Sequence, residues 1–414
     1  MPSVSASRAR VSVIFFTVLI DLIGFGIVMP ILPFYAQRFG ASGLAYGAVL
    51  GVYSFMQFLA TALLGKFSDR VGRRPVLLAT MLFNAAGYVL FAFAGSYWLL
   101  FLSRVISGFA GGNISVAQAY MADISTPSER SRAMGVVGAA FGIGFSAGPA
   151  VGGLADHFFG HTAPGLVAVG LSLANFVSAY FILPESLHHE LRVKRRLFDL
   201  GHIVEAFRRP RLRPLMLVWI LVPLGFAGYT AVLPYRAIAT LGWSKLQMTF
   251  LFIIIGVTAA LVQGYFFGKI VRRTGERTLV IAGSFGMALA IGVIPFLSSS
   301  AVLYAWTIVL AVSNSVFSPA ASGLVSIYAA SNEQGTMLGA AQAISALGRT
   351  AGPPLIGHTY DVSPVTSFLF AGLFMVLAAL AGLRMARVTH HVTSIPPAPP
   401  VPSVPLPEPP EPGS

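Results

Sequence analysis

Cysteine is missing from all 414 residues. No disulfide framework, thiolate metal site or cysteine nucleophile is possible, and thiol usage says nothing of the redox compartment. Charge is scarce too. Charged residues make up 10% of the chain and acids number 14, whereas a soluble protein carries roughly a quarter charged residues. A water-soluble pair of domains is therefore excluded. There is no glycine-rich loop followed by Lys-Ser/Thr, so no nucleotide-driven engine is visible. His188-His189 and His390-His391 stand without a second ligand cluster, so neither a metal nor another cofactor is expected. Gly144-Phe145-Ser146-Ala147-Gly148 has the spelling of a hydrolase nucleophile turn. It falls inside an apolar helical stretch rather than between a strand and a helix, so enzyme chemistry is not expected.

What is abundant is apolar surface: 56% of the residues, with a mean hydropathy of +0.78. Twelve apolar stretches are each near the roughly 20 residues that cross a bilayer core. They run near 11–37, 45–65, 75–95, 97–122, 132–155, 164–184, 214–238, 246–268, 277–297, 301–328, 336–357 and 365–386. The expected fold is an all-α integral membrane protein of twelve transmembrane helices. The net charge of +13 invites a nucleic-acid reading. That reading fails because the cations sit in short gaps between apolar runs rather than on one continuous face. With the N-terminus inside, 22 of the 27 Lys and Arg residues fall in inner segments, 3 in outer segments and 2 within spans. This bias predicts both termini in the cytoplasm of a cell membrane, the bacterial inner membrane being the expected one. The four tryptophans are expected in interfacial belts at helix ends.

The chain also repeats itself. At an offset of 203, Gly65-Lys66-Phe67-Ser68-Asp69-Arg70-Val71-Gly72-Arg73-Arg74 aligns with Gly268-Lys269-Ile270-Val271-Arg272-Arg273-Thr274-Gly275-Glu276-Arg277. At an offset of 204, Ala147-Gly148-Pro149 aligns with Ala351-Gly352-Pro353; at 201, Gly24-Phe25 aligns with Gly225-Phe226. Three anchors in chain order imply a duplicated six-helix unit, an arrangement transporters use with the substrate site between halves. The expected organisation is a tail 1–10, an N-terminal bundle 11–184, a basic linker 185–213, a C-terminal bundle 214–388 and a Pro-rich tail 389–414 that is extended or disordered.

Three charged residues fall within spans. Asp21 lies about 15 Å into its helix, near the midplane. A carboxyl in hydrocarbon is costly, so it is read as a proton- or substrate-coupling group, with a structural partner role as the alternative. Arg104 and Arg349 stay charged and must face a cavity or a partner. Arg349 either touches substrate or binds carbonyls. A broad cavity with few fixed hydrogen bonds is drawn from Phe25, Met29, Tyr53, Gln57, Gln118, Gln263 and Arg349, although amides in spans also glue helices together. In the 65–74 loop, Gly65 permits close helix approach and Gly72 a tight turn. Asp69 can face a helix N-terminus, and the cations Arg70, Arg73 and Arg74 can pair with Asp123. Asp69 breaks the basic pattern, which favours a latch over a plain positive-inside anchor. The second copy has Arg272 in that place. Gly144, Gly148 and Gly152, with Gly153 beside them, allow backbone-to-backbone helix packing, and Pro149 bends the helix.

The 65–74 loop resembles the signature between helices two and three of the major facilitator superfamily. Arg104-Val105-Ile106-Ser107-Gly108 in helix four and Gly144 to Gly153 in helix five resemble signatures of its drug/proton antiporter branch. Helix one, Asp21 to Pro33, is similar to the tetracycline-efflux group. The resemblance covers roughly residues 11–388. It implies two pseudo-symmetric six-helix bundles and alternating access. It also implies a proton-transfer role for Arg104, a cytoplasmic latch in the 65–74 loop, and a helix five that serves antiport and resists leak. Tetracycline pumps have an acid in helix three where this chain has Gly87. A broader export of small amphipathic compounds therefore fits better than one chelating substrate. The expected partners are a small-molecule substrate, protons and the lipid bilayer, with no nucleic acid, and the chain is expected to work as a monomer. An importer or metabolite exporter on the same fold is the alternative, and a non-transporting receptor or enzyme a remote one.

Overall fold

The computed structural model describes residues 4–125, 130–186, 200–330 and 333–386. The Pro-rich tail and residues 187–199 of the expected linker lie outside them. The described residues form sixteen α-helices and no strand. The first eight are α1 (Val4–Val28), α2 (Leu32–Arg38), α3 (Gly43–Val71), α4 (Arg73–Ala92), α5 (Tyr97–Ala110), α6 (Asn113–Ile124), α7 (Arg130–Phe159) and α8 (Ala163–Ile182). A short helix, α9 (Leu200–Arg208), lies in the expected linker. The second set is α10 (Arg213–Leu241), α11 (Lys245–Leu261), α12 (Phe267–Thr274), α13 (Glu276–Val293), α14 (Ser300–Tyr328), α15 (Gln334–Val362) and α16 (Pro364–Leu383).

Local chemistry sets the helix ends. Ser42 and Ser96 cap α3 and α5 by accepting from Ala45 N and Leu99 N. Ser244 and Gln247 form a reciprocal capping box on α11. Three expected spans are broken. The first stops at Val28, because Pro30 has no N–H to continue the ladder, and restarts as α2. The fourth breaks at Gly111-Gly112 between α5 and α6. The eighth carries a π-helical turn at Val262–Phe266 between α11 and α12.

Ten helical segments among the described residues are long and apolar enough to cross a membrane. The two other expected spans are α7 and α15, glycine-rich helices of 30 and 29 residues. Large apolar side chains such as Phe159, Phe181 and Phe285 are exposed, as a lipid-facing surface requires. The tryptophans differ in exposure. Trp98 is exposed, but Trp219 and Trp243 are buried. The Nε1 of Trp243 donates to Ser300 Oγ at 2.8 Å and that of Trp306 to Ala290 O at 2.9 Å. These two rings tie neighbouring helices together.

The two bundles are related as the repeat implies. A Cβ at Gly144 or Gly148 would stand 2.6 Å from Leu22 Cβ or Ile23 O, so α7 lies backbone-to-backbone on α1. A Cβ at Gly348 would stand 2.7 Å from Ile220 O, so α15 lies on α10 in the same way. The halves then cross-pack twice. Gly153 of α7 abuts Thr249 of α11, and Gly357 of α15 abuts Gly43 of α3. Asp361 closes the second contact by accepting from Gly43 N at 2.6 Å and Leu44 N at 2.9 Å, at the start of α3. Lys245, at the start of α11, pairs with Asp156 of α7 at 2.8 Å. Tyr46 stacks on Tyr235 with centroids 5.0 Å apart. These contacts lie at the ends of α3 and α11 remote from the 66–74 and 269–277 turns.

Candidate functional site

A cavity of about 360 Å³ lies between the bundles. One wall comes from α1 to α3 and α5, the other from α10, α11, α14 and α15. Much of it is aromatic: Phe25 and Tyr53 meet at 4.9 Å between centroids, with Phe226, Phe252 and Phe317 opposite. Its charged lining residues are Arg104 and Arg349; among the described residues no Asp, Glu or His lines it. Arg104 is 3% exposed. Its Nε donates to Ser103 Oγ at 3.2 Å and its guanidinium lies 5.1 Å from the Phe91 ring centroid. Its Nη2 has no hydrogen-bond partner, and neither do Trp219 Nε1 or Tyr229 OH on the facing wall. Arg349 donates from Nη1 to Ser345 Oγ one turn back at 2.6 Å.

Asp21 is not on that wall. It is buried behind it, held by two amides: Asn84 Nδ2 of α4 donates to Oδ1 at 3.0 Å, and Asn113 Nδ2 of α6 to Oδ2 at 2.5 Å. The Gly111-Gly112 break makes this possible. Gly112 lies so close to Ala60 and Thr61 of α3 that a Cβ would stand 2.7 Å from Thr61 N. The chain restarts with Asn113 as the first residue of α6. Gln57 Nε2 donates to the freed Gly111 carbonyl at 3.3 Å. An ionised carboxyl can accept from both amides. A protonated one gains an O–H donor at one oxygen, which becomes a weaker acceptor for its amide. Protonation therefore weakens one of the two amide ties of α1 to α4 and α6. Asp21 and Arg104 are not ion-paired in this conformation.

The 65–74 loop forms a dense polar knot. Gly72 joins α3 to α4 with φ 119°, a conformation that favours glycine. Arg73 is buried. Its Nη1 pairs with Asp69 at 2.5 Å and donates to Ser68 Oγ at 2.6 Å; its Nε pairs with Asp123 at 3.2 Å. Glu185, just beyond α8, accepts from Arg73 N at 2.8 Å and Arg74 N at 3.2 Å, covering the start of α4. Arg74 Nη2 donates to Tyr180 O at 2.6 Å. Each of these partners lies in the first bundle, apart from Glu185, the residue that follows it.

A family model described as Major Facilitator Superfamily matches residues 14–353 and 239–410. The chain belongs to the Major Facilitator Superfamily. It is a multi-pass membrane transporter, not an enzyme. The tetracycline resistance protein, class C, of Escherichia coli is 33% identical over 368 residues, which is 87% of this chain and 92% of that protein. The crystal structure of the human organic anion transporter MFSD10 is similar with TM-score 0.67 at 27% identity, covering 91% of this chain and 99% of that one. A bacterial homolog of the human lysosomal transporter Spinster, solved inward-facing and unoccupied, shares the fold with TM-score 0.75 at 14% identity, covering 92% and 98%.

Within this superfamily fold, the residues singled out from sequence divide into three groups. Phe25, Met29, Tyr53, Arg104 and Arg349 come together on the cavity wall. Gln57 does not line it and instead caps the α5–α6 break. Gln118 and Gln263 are exposed and do not line it. Gly65 is also corrected: a Cβ there would meet only Ser115 Oγ at 3.6 Å, an ordinary contact, so close helix approach does not require it. Arg70 is exposed, apart from the knot. Gly152 abuts Ile27 of α1, and Pro149 abuts Gly26. Sequence reasoning passed over Glu185, Asp156 and Asp361, whose charges at helix ends look like ordinary loop acids. Asn84 and Asn113 are polar residues within spans, and the sequence assigns them no partner.

Proposed function

We propose that this transporter is a proton-coupled antiporter that exports small amphipathic compounds by alternating access. The reading rests on one observation above all: the acid buried in the spans sits where three helices meet, beside the cavity, with a hydrogen bond that its own protonation weakens. The carboxyl of Asp21 takes a proton when its pocket communicates with the acidic side. Losing that proton restores both amide bonds and returns the bundle to the other state. Arg104, in the first-bundle wall near Tyr53, keeps a positive charge close to that proton site.

The Lys/Arg bias puts the 66–74 and 269–277 turns in the cytoplasm of a cell membrane, the bacterial inner membrane in this reading, with both termini on the same side. The contacts between α3 and α15 and between α7 and α11 then close the outer side, and this conformation faces inward. The knot around Arg73 latches the first bundle while it does so. Each chain contains a whole cavity, which suits a working monomer. An amphipathic cavity suits drug export, which would account for resistance of the kind that the names of the tetracycline resistance relatives print.

The test is proton counterflow. Inside-out vesicles with an acidic lumen, loaded with a pH-reporting dye, should alkalinise when a hydrophobic dye is added and taken up. Uptake with no proton release from the lumen, or uptake untouched by a protonophore, overturns the coupling.

A further inference from the structure

We propose that the central cavity is an anion site: it takes an amphipathic organic anion whose carboxylate, sulfonate or phosphate lies between Arg104 and Arg349 while its apolar body packs on the aromatic walls. The inference rests on the transport reading above for the cavity's use, but its chemistry comes from the wall itself.

Arginine keeps its charge, and a guanidinium in a low-dielectric wall needs a counter-charge or several acceptors. Among the described residues this wall supplies two guanidiniums and no carboxylate. The two come from different bundles, α5 and α15, and both line the same cavity. Their polar contacts inside the protein are few. Arg104 reaches Ser103 Oγ, and its buried Nη2 has no partner. Arg349 reaches Ser345 Oγ. Two further donors without a partner, Trp219 Nε1 and Tyr229 OH, are buried in residues that line the cavity. A wall with surplus donors selects a ligand with surplus acceptors, and charge-assisted bonds to an oxyanion are the strong form of that match. Asp21 forms no ion pair with either guanidinium; its two oxygens accept from Asn84 and Asn113. A cavity of about 360 Å³ admits a drug-sized body, and Phe25, Phe226 and Phe252 offer it ring faces. A permanently cationic compound would have to sit beside two guanidiniums with no carboxylate on the wall.

Two xanthene dyes test this, because fluorescein and rhodamine 123 share a ring system and differ in charge sign. Their binding to the purified full chain is read by fluorescence anisotropy. Fluorescein should bind roughly tenfold or more tightly than rhodamine 123. Arg349→Gln should weaken fluorescein roughly ten- to hundredfold, the scale of lost bonds to a charged group, and leave rhodamine 123 unchanged or tighter. Arg349→Glu should reverse the order of the two dyes. Arg104→Lys tests the other guanidinium. If it fails to fold, as judged by gel filtration and melting temperature, the two Arg349 variants decide alone. Equal or tighter binding of rhodamine 123 by the native chain overturns the proposal, and so does fluorescein affinity indifferent to Arg349→Gln. Fluorescein that binds but is not driven uphill by a proton gradient sinks the antiport reading and leaves the anion site standing. Gradient-driven rhodamine 123 transport without fluorescein binding does the reverse.

Discussion

The two basic turns are one backbone with two chemistries. Gly72 and Gly275 both take positive φ and join consecutive helices, and their N–H groups donate to Ser68 O and Val271 O at 3.0 and 2.8 Å. Arg74 Nη2 holds Tyr180 O at the end of α8, and Arg277 Nη2 holds Leu383 O at the end of α16 at 2.8 Å. Both the arginines and their carbonyls are 203 residues apart, so the duplicated unit kept this clasp. The acid–base pair between them did not survive in the same form. Asp69 and Arg73 in the first turn become Arg272 and Glu276 in the second. Arg73 is buried in its knot, whereas α12 buries no residue at all. The clasp is thus a feature of the fold, and the knot a feature of one half. The polar sites follow the same division: Asp21 belongs to the first half, and at the helix-one offset of 201 the second half has Val222.

This asymmetry can be broken in graded steps. The largest effect is expected from Asp21→Asn, which keeps the shape and removes the titration. Gradient-driven dye accumulation in vesicles should fall to background while dye binding in detergent survives; pumping at the native rate would refute the assignment. Next is Arg73→Ala, which strands Asp69 and Asp123. We expect a loss of about 2 kcal/mol, a discounted value for a pair whose acids are partly exposed, read as a lower melting temperature. Arg272→Ala in the other turn should stay within about 0.5 kcal/mol. Equal losses would mean the knot carries no special weight.

Asp361→Asn comes third. It weakens the anion at the α3 N-terminus by about 1 kcal/mol and should shift the population toward separation of α3 from α15. Because the chain has no cysteine, spin labels on single introduced cysteines in these two helices report that distance directly. The smallest step sharpens the symmetry: Arg74→Gln and Arg277→Gln should each cost about 1 kcal/mol or less. Their melting temperatures should fall by similar amounts if the clasps are equivalent.

Much of this was legible in the chain. A bilayer demands apolar helices of fixed length, so the spans, the repeat and the lone acid all stand out against a hydrophobic background. The breaks at Pro30 and Gly111-Gly112 did not stand out, because membrane helices tolerate both residues without breaking. Asp21's partners are separated from it by 63 and 92 residues, and an amide in a span says nothing of which helix it faces. Gln118 and Gln263 lie off the cavity wall for that reason. Arg349 lies on it, and a cation in a span has few other places to go. Glu185 was hidden by its position, three residues past Ile182 at the end of α8.

The sign of the cavity also decides what the membrane voltage does. A proton moving inward and an anion moving outward displace charge in the same electrical direction. One exchange then carries two elementary charges, and an interior at −100 mV contributes about 4.6 kcal/mol to it. Export from such a chamber continues on voltage alone after the pH difference has been dissipated, whereas swapping one proton for one monovalent cation gains nothing from the field.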